Sequence, residues 1–161
     1  MNQQKYQFEF EVYESADQLA KQDAVLLQEA RAITTLAYAP YSHFKVGAVA
    51  LLSNGAMVKG TNQENASFPA GICAERVLLS NAAILHPKVS IESIAISYDN
   101  TNGASNHPIS PCGICRQSLL EYELRVQKPI RLILGGLSGK IYVISKAGSL
   151  LPLSFTSVDM Q

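Results

Sequence analysis

Ile130-Arg-Leu-Ile-Leu-Gly135 and Lys140-Ile-Tyr-Val-Ile-Ser145 are two apolar, β-branched runs separated by only a few residues. Their composition reads as two strands. So short a connection cannot hold a crossover, so the pair must be antiparallel. Working back along the chain, a helix is expected over 112–124 and a buried strand over 91–98. A further helix is expected over 73–86, stopped by Pro87. Residues 44–52 and 56–63 read as a hairpin turning at Asn54-Gly55. Ser15-Ala-Asp-Gln18 has the form of a capping box. The helix it opens carries an apolar stripe of Leu19, Leu26, Leu27, Ala30, Ile33 and Ala37, and Pro40 ends it. Residues 5–14 alternate strictly, with Tyr6, Phe8, Phe10 and Val12 on one face, the period of a half-buried strand. The order is strand, helix, hairpin, helix, strand, helix, hairpin and tail. That predicts a mixed sheet covered by helices, an α/β layered domain.

The chain is 161 residues long, the size of one domain, so residues 1–161 are read as a single unit. Apolar residues make up 47%, enough for an ordinary core and too many for a disordered chain. Thirteen basic and thirteen acidic side chains cancel. A domain built to grip a phosphate backbone carries a basic excess, so nucleic acid is not the expected partner. Charged residues are only 16%, against roughly 25% in typical domains, which points to surface hidden by self-association. No charge-free apolar run approaches the roughly 20 residues that span a membrane. Lys5, Glu9, Glu11 and Glu14 interrupt the place of a signal peptide. The expectation is a cytoplasmic protein, in which a close cysteine pair indicates metal or redox chemistry rather than a structural disulfide.

Two motifs carry that chemistry: Cys73-Ala-Glu75 at one expected helix start and Pro111-Cys112-Gly-Ile-Cys115 at another. The i, i+3 spacing puts the second pair of sulfurs on one face of a first turn. If the two helix starts lie side by side, Cys73, Cys112 and Cys115 converge on one ion and leave a fourth tetrahedral position open. That is the layout of a catalytic zinc site, one Zn²⁺ per chain. The partial positive charge of each helix start favours the thiolates. Three thiolates on Zn²⁺ leave a formal charge of −1, and Arg76 is expected to offset it by donating hydrogen bonds to them. None of His43, His86 or His107 reads as a fourth ligand.

These residues resemble a known family. The pattern is that of the zinc deaminases, in the variant with three cysteine ligands. Tyr41-Ser-His-Phe44-Lys-Val-Gly-Ala48, Asn62-Gln-Glu64-Asn65-Ala66, Gly71-Ile-Cys-Ala-Glu-Arg76 and Ser110-Pro-Cys-Gly-Ile-Cys-Arg-Gln117 are similar to the small cytidine deaminases, from about Leu26 to Phe155. Residues 1–14 depart from that pattern as an N-terminal extension, expected to form an extra strand. The resemblance implies a three-layer α/β/α domain on a mixed five-stranded sheet, with the last two strands antiparallel. It implies that Asn62 and Glu64 hold the ribose 3′-hydroxyl, that Phe44 packs near the base, and that the Ala74 N–H meets the pyrimidine O2. The Ser110 carbonyl would accept from the leaving amine. Phe68 and Phe155 would reach the site of a neighbouring subunit in a homotetramer.

The chemistry implied is hydrolytic deamination of cytidine and deoxycytidine in pyrimidine salvage, with Glu75 as the single base and acid. Within enzymes the alternative is deamination of another aminated nucleoside or heterocycle, as in the nucleoside-antibiotic deaminases. Outside them it is a non-catalytic zinc scaffold. Glu75 separates the two, because a structural zinc needs no carboxylate two residues from a ligand and would want a fourth protein ligand. A polynucleotide substrate is disfavoured by the zero net charge and by the tight last hairpin. The sequence does not rank cytidine against deoxycytidine.

Overall fold

The structure is a computed structural model describing all 161 residues. Six strands form one sheet: β1 (Glu11–Tyr13), β2 (Phe44–Leu52), β3 (Met57–Thr61), β4 (Ile91–Asn100), β5 (Arg131–Gly135) and β6 (Ile141–Ile144), in the order β1-β6-β5-β4-β2-β3. Only β4 and β5 are parallel, and helix α3 (Gly113–Val126) supplies the crossover that such a pair needs. The β5–β6 hairpin is antiparallel, as its short loop demands.

Alternation along the strands feeds two cores. Leu26, Leu27, Ala30 and Ile33 of α1 (Lys21–Ile33) pack with Val49, Ala95, Ile133 and Val143 on one face. Leu78 and Ala82 of α2 (Ala74–Leu85), with Leu119 and Tyr122 of α3, pack with Ala48, Ile94, Ile96 and Leu132 on the other. The three layers are therefore present. Gly60 on β3 sets the height of α2, since a Cβ there would stand 2.4 Å from the Ala74 carbonyl oxygen; only glycine lets the helix start sit directly on the strand. At the far end of α3, the buried Glu123 carboxylate accepts from the Ile130 and Ala147 amides at 2.7 and 3.1 Å and from Gly148 at 3.1 Å.

Four expectations are corrected. The sheet has six strands, not five, because β1 of the N-terminal extension pairs with β6, from Glu11↔Val143 to Tyr13↔Ile141. Of residues 5–14, only Glu11–Tyr13 join the ladder. The aromatic face is satisfied differently: the tilted rings of Tyr6, Phe8 and Phe10 form a row that ends on Tyr142 at 4.9 Å, while all three stay exposed. The capping box at Ser15 does not form. Gln18 Oε1 accepts from the Glu14 amide at 2.8 Å, closing a single 3₁₀ turn, and α1 starts only at Lys21. The helix also stops before Ala37, as the Thr34 and Thr35 hydroxyls bond back to the Arg31 and Ala32 carbonyls.

Candidate active site

The starts of α2 and α3 lie side by side on one face of the sheet. Cys73 is the N-cap of α2 and Cys112 the N-cap of α3, while Cys115 sits in the first turn of α3. Their sulfurs all lie within 4.8 Å of one another, with Cys73–Cys112 at 3.8 Å and Cys112–Cys115 at 3.5 Å. A tetrahedral zinc with Zn–S bonds near 2.3 Å separates its thiolates by about 3.8 Å. The spacing and the soft sulfur donors thus fit zinc. Three thiols this close do not ionise independently. The hydrogen bond from Cys115 pulls the Cys73 thiol down to about 6, and the same contact pushes Cys115 up.

Glu75, one residue into α2, points into this corner and is 5% exposed. Burial raises its carboxyl above the ordinary carboxylate range, against a smaller pull from the Cys115 thiol. A carboxyl that holds a proton more tightly than usual suits a group that must take and return one near neutral pH. Arg76 differs from expectation. It donates no hydrogen bond to a thiol but lines a separate groove of about 300 Å³ between α2 and α3, with Ser118, Glu121 and Arg125. What reaches Cys73 is only its charge, which lowers that thiol.

Beside the cysteines opens a cleft of about 540 Å³, with Cys73, Tyr41, Asn62, Glu64 and Phe68 among its walls. Glu64 Oε2 accepts from the Tyr41 and Ser42 amides at 2.9 and 3.3 Å. Bonding to the Ser42 side chain holds the Glu64 carboxyl below its usual range. Asn62 is braced against β2, accepting from the Val46 amide at 2.7 Å and donating to the Phe44 carbonyl at 2.9 Å. Phe44 lies outside the cleft walls, its ring stacked on Tyr98 at 4.8 Å. Ala74 is buried in the first turn of α2, where a helix leaves its amides free. Ser110 is exposed just before Pro111. Phe68 rims its own chain's cleft, edge-on to Tyr41 at 6.0 Å. Phe155 lies elsewhere, its ring exposed and its carbonyl accepting from Gln117.

Comparison with known proteins agrees with this geometry. The cytidine and deoxycytidylate deaminase zinc-binding region matches residues 20–128. The chain belongs to this deaminase family. The cytidine deaminase of Halalkalibacterium halodurans is 37% identical over 84% of this chain and 96% of its own. That of Mycobacterium tuberculosis is 39% identical over 59% of this chain and 69% of its own. The crystal structure of cytidine deaminase from Burkholderia pseudomallei covers 85% of this chain and 100% of its own, with a TM-score of 0.71 and 34% identity.

Within this deaminase domain, two groups of site residues escaped the sequence reading. The Tyr41 and Ser42 amides that hold Glu64 carry no side-chain signal. The stretch 99–110, Asn/Ser-rich in the sequence, leaves β4 at Asn100 and is pinned from several sides. Thr101 donates to the His43 carbonyl at 3.1 Å and Ser138 to the Ser105 carbonyl at 3.3 Å. Gly136 and Gly139 lie so close that a Cβ would stand 2.3 and 2.0 Å from the carbonyl oxygens of Ser105 and Asn106. No helix is long and apolar enough to cross a membrane.

Proposed function

We propose that this chain deaminates cytidine and deoxycytidine hydrolytically, consuming water and releasing ammonia with uridine or deoxyuridine as product. The observation that carries the reading is Glu75, a buried carboxyl in the first turn of α2 beside the three-thiol cluster. A scaffold zinc would gain nothing from burying an acid there, at a desolvation cost of several kcal/mol if charged. Cys73, Cys112 and Cys115 hold one zinc per chain, which when bound supplies Lewis acidity that makes hydroxide accessible near neutral pH.

Glu75 takes a proton from the attacking water and delivers it to N3 of the pyrimidine, which makes C4 the better electrophile. After attack at C4 the same carboxyl carries a second proton to the exocyclic nitrogen, and ammonia leaves. One group serves as base and then acid, so it must stand beside the metal without ligating it. Glu64 and Asn62 receive the ribose 3′-hydroxyl, Glu64 as an acceptor already oriented by Tyr41 and Ser42. The Ala74 N–H meets the pyrimidine O2, the Ser110 carbonyl accepts from the leaving amine, and Phe44 supports the base. The exposed rings of Phe155 and Phe68 complete a neighbour's cleft in a cytoplasmic homotetramer serving pyrimidine salvage.

Incubation with cytidine while following the ultraviolet change, alongside a zinc count per chain, tests the reading; a zinc-loaded protein without turnover overturns it. Truncation before Ser154 should raise KM while the core stays folded. A fully active monomer in sedimentation overturns the shared cleft.

A further inference from the structure

Tyr98 stands at the end of β4 and is 1% exposed. A tyrosine so deeply buried needs a partner for its hydroxyl, since an unsatisfied one costs about 1–3 kcal/mol. The partner is the His107 Nδ1 atom, at 3.1 Å, with the two rings edge-on at 5.7 Å. The face of the phenol is also engaged, stacked on Phe44 at 4.8 Å and 15°. One buried side chain therefore touches β2 beside Asn62 and, through His107, the loop that enters α3.

His107 heads the run His107-Pro108-Ile-Ser110-Pro111-Cys112. Pro108 has a fixed φ and Pro111 confines Ser110 to extended backbone. The run is a stiff rod: once His107 is held, the height of the Ser110 carbonyl follows. The other side of the loop is already clamped through Ser105 and Asn106 by the β5–β6 hairpin.

We propose that Tyr98 and His107 are a positioning pair for the deamination, the phenol holding the 107–111 rod where the Ser110 carbonyl meets the departing amine. This rests on the reading of Ser110 given above. The carbonyl bond strengthens as the amine becomes protonated, so misplacing it costs the transition state more than the bound substrate. The pair should act on kcat and leave KM alone. Tyr98→Phe keeps the ring and its stack on Phe44 and removes only the hydroxyl. His107→Leu removes the partner of that hydroxyl, and His107→Asn restores a polar one at the same position.

The experiment measures kcat and KM for cytidine, with zinc per chain, in the zinc-loaded wild type, Tyr98→Phe, His107→Leu, His107→Asn and the double variant Tyr98→Phe/His107→Leu. Each of the two single deletions should lower kcat about tenfold with KM within about twofold and zinc unchanged. The double variant should be no slower than the slower single, because both remove one interaction. His107→Asn should recover most of the lost turnover. Singles within about twofold of wild type, multiplicative losses in the double variant, or zinc lost from either single overturn the pairing. Glu75→Gln is run in parallel. Turnover surviving there overturns the deaminase site itself, whereas turnover lost there with both singles unaffected overturns the pair alone.

Discussion

Glu123→Gln isolates one carboxylate whose role is structural. Its two oxygens receive three backbone amides, Ile130 and Ala147 at Oε1 and Gly148 at Oε2. A glutamine must put an NH₂ at one of these places. The cheaper choice keeps the oxygen toward Ile130 and Ala147 and turns the NH₂ toward the Gly148 amide, donor against donor. Relief by moving apart is limited, because Gly148 is so close that a Cβ there would stand 2.7 Å from Oε2. The loss is one hydrogen bond to a charged acceptor, with one part-buried donor left unpaired, together about 2–4 kcal/mol. For a chain of this length 1 kcal/mol moves the midpoint by about 2–4 °C, so the melting temperature should fall by roughly 4–16 °C. Turnover at 25 °C should stay within about twofold, because eight residues of helix separate Glu123 from Cys115, about 12 Å. Calorimetry of zinc-loaded wild type and variant, paired with a cytidine assay, reads both numbers. A midpoint within about 2 °C of wild type refutes the accounting.

Glu75→Gln should keep its zinc and lose about 10²–10⁴ in kcat; metal analysis beside steady-state rates checks it, and comparable turnover sinks the mechanism. Cys112→Ser, or treatment of the wild type with a strong chelator, should remove the metal and lower the melting temperature together, since binding at this junction is coupled to folding; an unchanged melt after proven zinc loss refutes that coupling. Ser42 bonding keeps Glu64 ionised across the neutral range, so a 5′-phosphate brings like charge to its end of the cleft. At an effective dielectric near 20, unit charges roughly 8 Å apart repel by about 2 kcal/mol, so CMP should fall more than about tenfold below cytidine in kcat/KM. Equal values for the two substrates overturn the role given to Glu64.

What was legible in the sequence is what local chemistry dictates. Asn54-Gly55 turns a hairpin because Gly55 takes φ +82°, and the four residues after Gly135 allow only antiparallel return. Cysteines at two helix starts predict a thiol cluster because capping fixes where the sulfurs point. What stayed hidden depends on partners distant in the chain. Whether Tyr6, Phe8 and Phe10 face a core or lie outside along Tyr142 is decided by β6, which the alternation cannot see. Arg76 stands beside Glu75 in sequence, yet its side chain joins Ser118, Glu121 and Arg125 in the groove between α2 and α3, which only the packing of the two helices decides. Glu123 carries no local signal, because its partners lie at Ile130 before β5 and at Ala147 and Gly148 after β6.

Gly136 and Gly139 press on the backbone carbonyls of the loop that leads into the Pro111-Cys112 helix start. Two segments some thirty residues apart are thereby made one inherited unit. A side chain acquired at either glycine, or a residue gained or lost between Asn100 and His107, would have to be answered in the other segment before Cys112 could keep its place. Transplanting the loop alone into another member of the family would bring half of a joint, whereas loop and hairpin tip moved together would carry their fit with them.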